Sequence, residues 1–197
     1  MLEKIIDGCD KLFRKFGIKS LSMDDIAREL GMSKKTIYLY VSDKNDLVQK
    51  TFTKILAVNK ARCTCIKNEK HSPVDEILLI SRDISQQMIS TNPSVFFDLR
   101  KYHSEAWQLF ENYSNQFIIT QIKENLIDGI KKGDYRKDIN VDIISQLYIS
   151  LLQTISNPEL FSNIDYNFSH VYSDMVKYHL YGICTDKGRK HINTILT

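Results

Sequence analysis

Apolar residues recur every three or four positions through almost the whole chain. At the start, Leu2, Ile5, Ile6, Cys9, Leu12, Phe13 and Phe16 line one side of a helix that Gly17 stops. Ser22, with Asp25 three residues on, has the spacing that caps a helix N-terminus ahead of Ile26, Ala27 and Leu30. Gly31 follows at once and suits a tight, left-handed turn. Ser33 then caps a second short helix through Tyr40, and Ser42-Asp43 caps a longer one over 44–67.

His71-Ser72-Pro73 marks the next boundary. From Pro73 a helix carries Ile77, Ile80, Ile84 and Met88 on one face until Asn92-Pro93 ends it. The pattern then predicts a short helix over 94–103 and a long one over 104–132. A charged loop over 133–140 leads to helices over 141–156 and about 167–184. No alternating strand pattern competes, and only 7 Gly and 3 Pro interrupt 197 residues. The expected fold is all-α with about nine helices, three short and then six longer. A three-helix helix-turn-helix domain over 1–45 precedes a helical domain over 46–197.

Charge sharpens this division. Residues 1–60 hold 12 Lys and Arg against 8 Asp and Glu, whereas the remainder holds 15 against 16. The basic excess therefore sits in the part expected to meet a polyanion. Acidic residues interrupt the N-terminal apolar stretch, so no signal peptide is expected, and the longest uncharged run is too short to span a bilayer. A cytoplasmic location without membrane contact is the expectation. Cys9, Cys63, Cys65 and Cys184 lack paired CxxC spacing, so neither a zinc site nor another metal or cofactor is expected. There is no glycine-rich phosphate loop, HExxH or GxSxG run, and the five histidines share no ligand spacing. A catalytic role is not expected.

Two short capped helices around a glycine turn make the element that lays its second helix in the major groove. On that helix Lys34, Lys35 and Tyr38 share one side, and Ile37 and Val41 can face the helix behind. Lysines answer phosphates or guanine acceptors, Thr36 can donate or accept at a base edge, and a phenol donates to phosphate. A helical hairpin with a solvated polar face would share the same charge and capping.

The run from Ser22 to Leu47, SMDDIARELGMSKKTIYLYVSDKNDL, resembles the N-terminal domain of the TetR family (TetR/AcrR) of bacterial transcriptional regulators. Phe13-Arg-Lys-Phe16-Gly17 ahead of it fits as well, and Gly129-Ile-Lys-Lys-Gly133-Asp-Tyr-Arg136 is a looser likeness in the C-terminal half. The resemblance implies a homodimer whose recognition helices read half-sites of a palindromic operator in double-stranded DNA. It places Ser33, Lys34, Lys35, Thr36, Leu39 and Tyr40 at bases and nearby phosphates, with Tyr38 and Lys44 gripping the backbone. Ser22 falls beside a phosphate-contacting position. Asp24 stands where the family can carry a basic residue, and no DNA contact is expected there.

For the C-terminal domain the resemblance implies a dimer interface on the last two long helices, here through Leu147, Leu151, Val171, Met175 and Tyr178. It also implies a cavity for a small effector. The aromatic set Phe96, Phe97, Tyr102, Trp107, Phe110, Tyr113 and Phe117, with His103 and Gln121, suits a mostly apolar molecule whose binding releases the operator. The alternative is an architectural or partner-binding DNA protein of the same fold that senses no small molecule.

Overall fold

A computed structural model describes residues 1–157, 160 and 167–196, the last four by backbone alone. Its helices are α1 (Leu2–Phe16), α2 (Met23–Glu29), α3 (Lys34–Tyr38), α4 (Lys44–Asn68), α5 (Pro73–Ile89), α6 (Ser94–Tyr102), α7 (Ser104–Tyr113), α8 (Ile119–Lys132), α9 (Val141–Ile155), α10 (Phe168–Ile183) and α11 (Asp186–Leu196). A π turn, Ser114–Ile118, joins α7 to α8, so the expected 104–132 helix is present with one irregular turn inside it. The fold is all-α, with no strand among the described residues. Nor is any described helix long and apolar enough to cross a membrane.

The chain divides into two compact units, Met1–Asn59 with Ser90–Asn112, and Lys60–Ile89 with Tyr113–Thr197. The first unit therefore runs past the boundary expected at residue 45 and takes in a second segment. Apolar burial explains this, because Val95, Leu99 and Ala106 share one buried cluster with Ile5, Phe13, Ile26, Ile37 and Leu47. A polar clasp adds to it. The buried Asp98 carboxylate accepts hydrogen bonds from the backbone N–H of Ile18 at 3.0 Å and of Lys19 at 2.8 Å, satisfying the loop after α1.

In the second unit α5, α8, α9, α10 and α11 enclose a cluster that includes Val74, Leu126, Ile149, Val176, Leu180 and Ile192. Asn125 is its polar pivot. Its amide donates to the Pro73 carbonyl at 2.9 Å, and its side-chain oxygen accepts from the fully buried Tyr135 hydroxyl at 2.9 Å. Gly129 makes room for that tyrosine, since a Cβ there would lie 2.0 Å from the Tyr135 ring. Helix α11 was not foreseen. Its sequence is polar up to Ile192, which alone among its described side chains is fully buried.

Candidate nucleic-acid interface

Two capping motifs shape the helix-turn-helix. At α2 the Ser22 hydroxyl oxygen accepts from Asp25 N at 3.1 Å, and the Asp25 carboxylate accepts from Ser22 N at 3.0 Å and from the Ser22 hydroxyl at 2.6 Å. Arg28 reaches the same carboxylate at 2.6 Å. The Ser22 hydroxyl bonds, then its backbone N–H and Arg28, hold the Asp25 carboxyl down at about 2. Gly31 turns the chain with φ +63°, and Ser33 caps α3 by accepting from Thr36 N at 3.0 Å. The turn and both caps follow the sequence rules directly.

Helix α3 is anchored by one residue. Ile37 is fully buried, which directs Lys34, Lys35 and Tyr38 outward and leaves Leu39 and Tyr40 exposed beyond the helix end, with Thr36 half-buried. Leu39 is 72% exposed, a large apolar side chain left in water in the middle of a polar face. Lys50 steadies the helix end by donating to the Tyr40 carbonyl at 3.0 Å while pairing with Asp46 at 2.7 Å. Nothing in the sequence pattern singled out Lys50; only its spacing from Asp46 hinted at a pair.

Two charged residues depart from expectation. Lys34 Nζ lies 3.1 Å from the Asp24 carboxylate, so the acid that replaces the family's basic residue partly neutralises the recognition helix. Lys44, expected to grip the DNA backbone, turns inward. Its ammonium donates to the carbonyls of Ile18 at 2.7 Å and Leu21 at 2.5 Å, and this burial lowers its pKa. Two of its three protons satisfy a loop that has no helix of its own, which is a positioning role for the start of α2.

The aromatic residues expected to line a cavity do not form one set. Phe96, Phe97, Tyr102, His103, Trp107 and Phe110 belong to the first unit, and Tyr113, Phe117 and Gln121 to the second. In the first, the Phe96, Phe110 and Trp107 rings meet at 5.9 and 5.3 Å between centroids. Tyr102 is instead a surface residue whose hydroxyl accepts from Lys19 at 2.9 Å, with its ring edge-on to Phe97. His103 is buried and bonded to Asn45 at 2.7 Å. In the second unit Tyr113 and Phe117 rings lie 5.2 Å apart, and the Gln121 amide oxygen accepts from Lys67 at 3.2 Å.

Of the residues expected at a dimer interface, Leu147 and Tyr178 are 52% and 75% exposed on α9 and α10, and Leu151 and Val171 are half-buried. Met175 differs: it is buried in its own unit's cluster beside Val176 and Tyr172. Met175 and Tyr178 are three positions apart, only about 60° around the helix axis, so the edge between the buried and exposed sides of α10 runs between them. Ile143 on α9 and Tyr181 on α10, which the sequence did not single out, extend the exposed apolar surface.

Residues 5–51 match the sequence model of bacterial regulatory proteins of the tetR family. The chain is 24% identical over 188 residues to YvaF, an HTH-type transcriptional regulator of Bacillus subtilis (strain 168), covering 95% of this chain and 97% of that protein. Its fold is similar to that of the transcriptional regulator FadR from Bacillus subtilis in complex with stearoyl-CoA, with a TM-score of 0.70 at 17% identity over 93% of this chain and all of that one. A regulator from Saccharomonospora viridis in complex with choline is similar at a TM-score of 0.71 and 16% identity, covering 93% of this chain and 97% of that one.

Proposed function

The chain belongs to the TetR family of bacterial regulatory proteins, and from that premise we propose that it represses transcription as a homodimer bound to a palindromic operator. The observation that carries the reading is the outer face of α3. Ile37 is the one buried side chain of the helix, so two lysines, two tyrosines and a leucine face solvent with no core-packing role to explain them. Lys34 and Lys35 supply charge and guanine recognition, Thr36 hydrogen bonding, and Leu39 an apolar contact for a thymine methyl. Ser33 and Tyr40 flank them, with Tyr38 toward the phosphates. Ser22 presents its helix start to the backbone through α2.

A palindrome needs two reading heads, and the exposed apolar surface of α9 and α10 supports pairing through a second copy. Release by a small, mostly apolar effector completes the proposal. A regulator of the same fold holds stearoyl-CoA and another holds choline, which supports a ligand-responsive C-terminal domain here. Coupling of about 1–3 kcal/mol between effector and operator would change DNA affinity roughly 5–150-fold. Such a protein works where the chromosome is, in the cytoplasm.

The test is selection of bound duplexes from a random library by the purified protein. Enrichment of an inverted repeat, bound by two copies, is the expected result. Recovery of no preferred sequence at moderate salt would overturn the reading.

A further inference from the structure

We propose that a groove between α5 and α10 in the second unit binds a small oxyanion carried on a short apolar body. The groove encloses about 380 Å³, within the range of small-ligand sites. Its walls come from one face of each helix, with Ser81, Arg82 and Ser85 on α5 facing Ser169, Ser173 and Lys177 on α10. Two cations, four hydroxyls and the His170 imidazole line it, and among the described residues no carboxylate does. Leu78, Ile89 and Val176 give it an apolar side.

Three features favour an anion. Arg82 and Lys177 set the sign of the field, and a guanidinium offers the paired donors that carboxylates and phosphates accept. Asp174 does approach Lys177, at 3.3 Å, but on the exposed side where such a pair holds the ammonium weakly. Among the described residues the buried Ser85 hydroxyl oxygen has no hydrogen-bond partner, an unsatisfied group that a ligand oxygen would satisfy. Ser169 lies in the first turn of α10, whose amide dipoles add to the positive field. The apolar wall selects against a bare, fully hydrated ion and leaves room for a few methylenes. Carboxylates and phosphate monoesters share this chemistry.

This inference is independent of the DNA-reading proposal, because its readout is ligand binding alone. Calorimetric titration of the full chain with hexanoate and with hexyl phosphate, against hexanol and hexylammonium as controls, tests it. Saturable binding of one or both anions is expected, and the tighter of the two names the head group. The Arg82→Gln/Lys177→Gln double variant should bind at least about tenfold more weakly, and Ser85→Ala a few-fold more weakly. Ser85→Leu, which fills the groove without changing charge, should abolish binding while the circular dichroism spectrum stays native. Equal binding of hexanol or hexylammonium, no binding of either anion, or unchanged affinity in the double variant and Ser85→Leu would overturn the proposal.

Discussion

The ammonium of Lys44 donates to the carbonyl oxygen of Leu21 at 2.5 Å, tying the first turn of α4 to the residue that precedes the α2 cap. A second bond, to Ile18, spans the same loop. Lys44→Ala should therefore destabilise the first unit by about 1–3 kcal/mol, because it leaves carbonyls short of a partner. Thermal unfolding checks the loss. The salt dependence of DNA binding should keep its slope, in contrast to the loss of about one unit per half-site that removing a phosphate contact brings.

The Lys34–Asp24 pair leads to the opposite expectation for the neighbouring charge. At an exposed site this pair adds little to stability, so Asp24→Asn should leave the unfolding midpoint nearly unchanged. It should free Lys34 for DNA, strengthening binding several-fold at low salt and steepening the salt dependence by about one unit per half-site. Affinity measured at four or more salt concentrations decides this.

Ile37 and Leu39 sit two residues apart and should behave as opposites. Ile37→Ala removes the one buried anchor of α3 and should cost about 2–5 kcal/mol of stability. Leu39→Ala touches a side chain already in water and should change stability by less than about 0.5 kcal/mol. Its effect should appear as relaxed preference at one base position, read by sequencing selected duplexes.

His179 gives the second unit a defined acid response. Burial holds its pKa at about 4, its Nε2 has no partner among the described residues, and its ring stands edge-on to Tyr148 at 5.0 Å. A histidine whose folded pKa lies below its unfolded value binds its proton first in the unfolded chain. Stability is then fully present above about pH 6.5 and falls as the pH drops from there to about 4, by on the order of 2–3 kcal/mol. His179→Phe keeps the ring contact and should flatten that limb of the stability profile between pH 7 and 4, measured by urea unfolding.

Leu147→Glu combined with Tyr178→Glu places charge on the exposed face of α9 and α10. Each helix keeps its buried side, so the variant should stay folded by circular dichroism. It should sediment as a monomer at micromolar concentration and bind the operator at least about a hundredfold more weakly, having lost one of two half-sites.

Much of this protein is written locally. The caps at Ser22 and Ser33, the glycine turn at Gly31 and the 3.6-residue apolar period each depend on residues within four positions of one another. Helix starts, the all-α class and the outward face of α3 were therefore legible from the chain alone. Helix α11 escaped because Ile192, its one buried apolar side chain among the described residues, follows a polar run, and the π turn over Ser114–Ile118 leaves no mark in an apolar period that continues across it.

What pattern could not supply were contacts between distant positions. Asp98 meets Ile18 across 80 residues, and this contact helps bring 90–112 into the first unit. The inward turn of Lys44, the burial of Met175 three positions before the exposed Tyr178, and the placing of Arg82 and Lys177 along one groove are of the same kind. The sequence by itself determined where most of the helices form and which residues are candidates to read DNA, because capping and amphipathic burial are short-range effects. Only the tertiary structure decided which charges remain free to do so, because a lysine's nearest carbonyl or carboxylate is set by how helices pack, not by its neighbours in the chain.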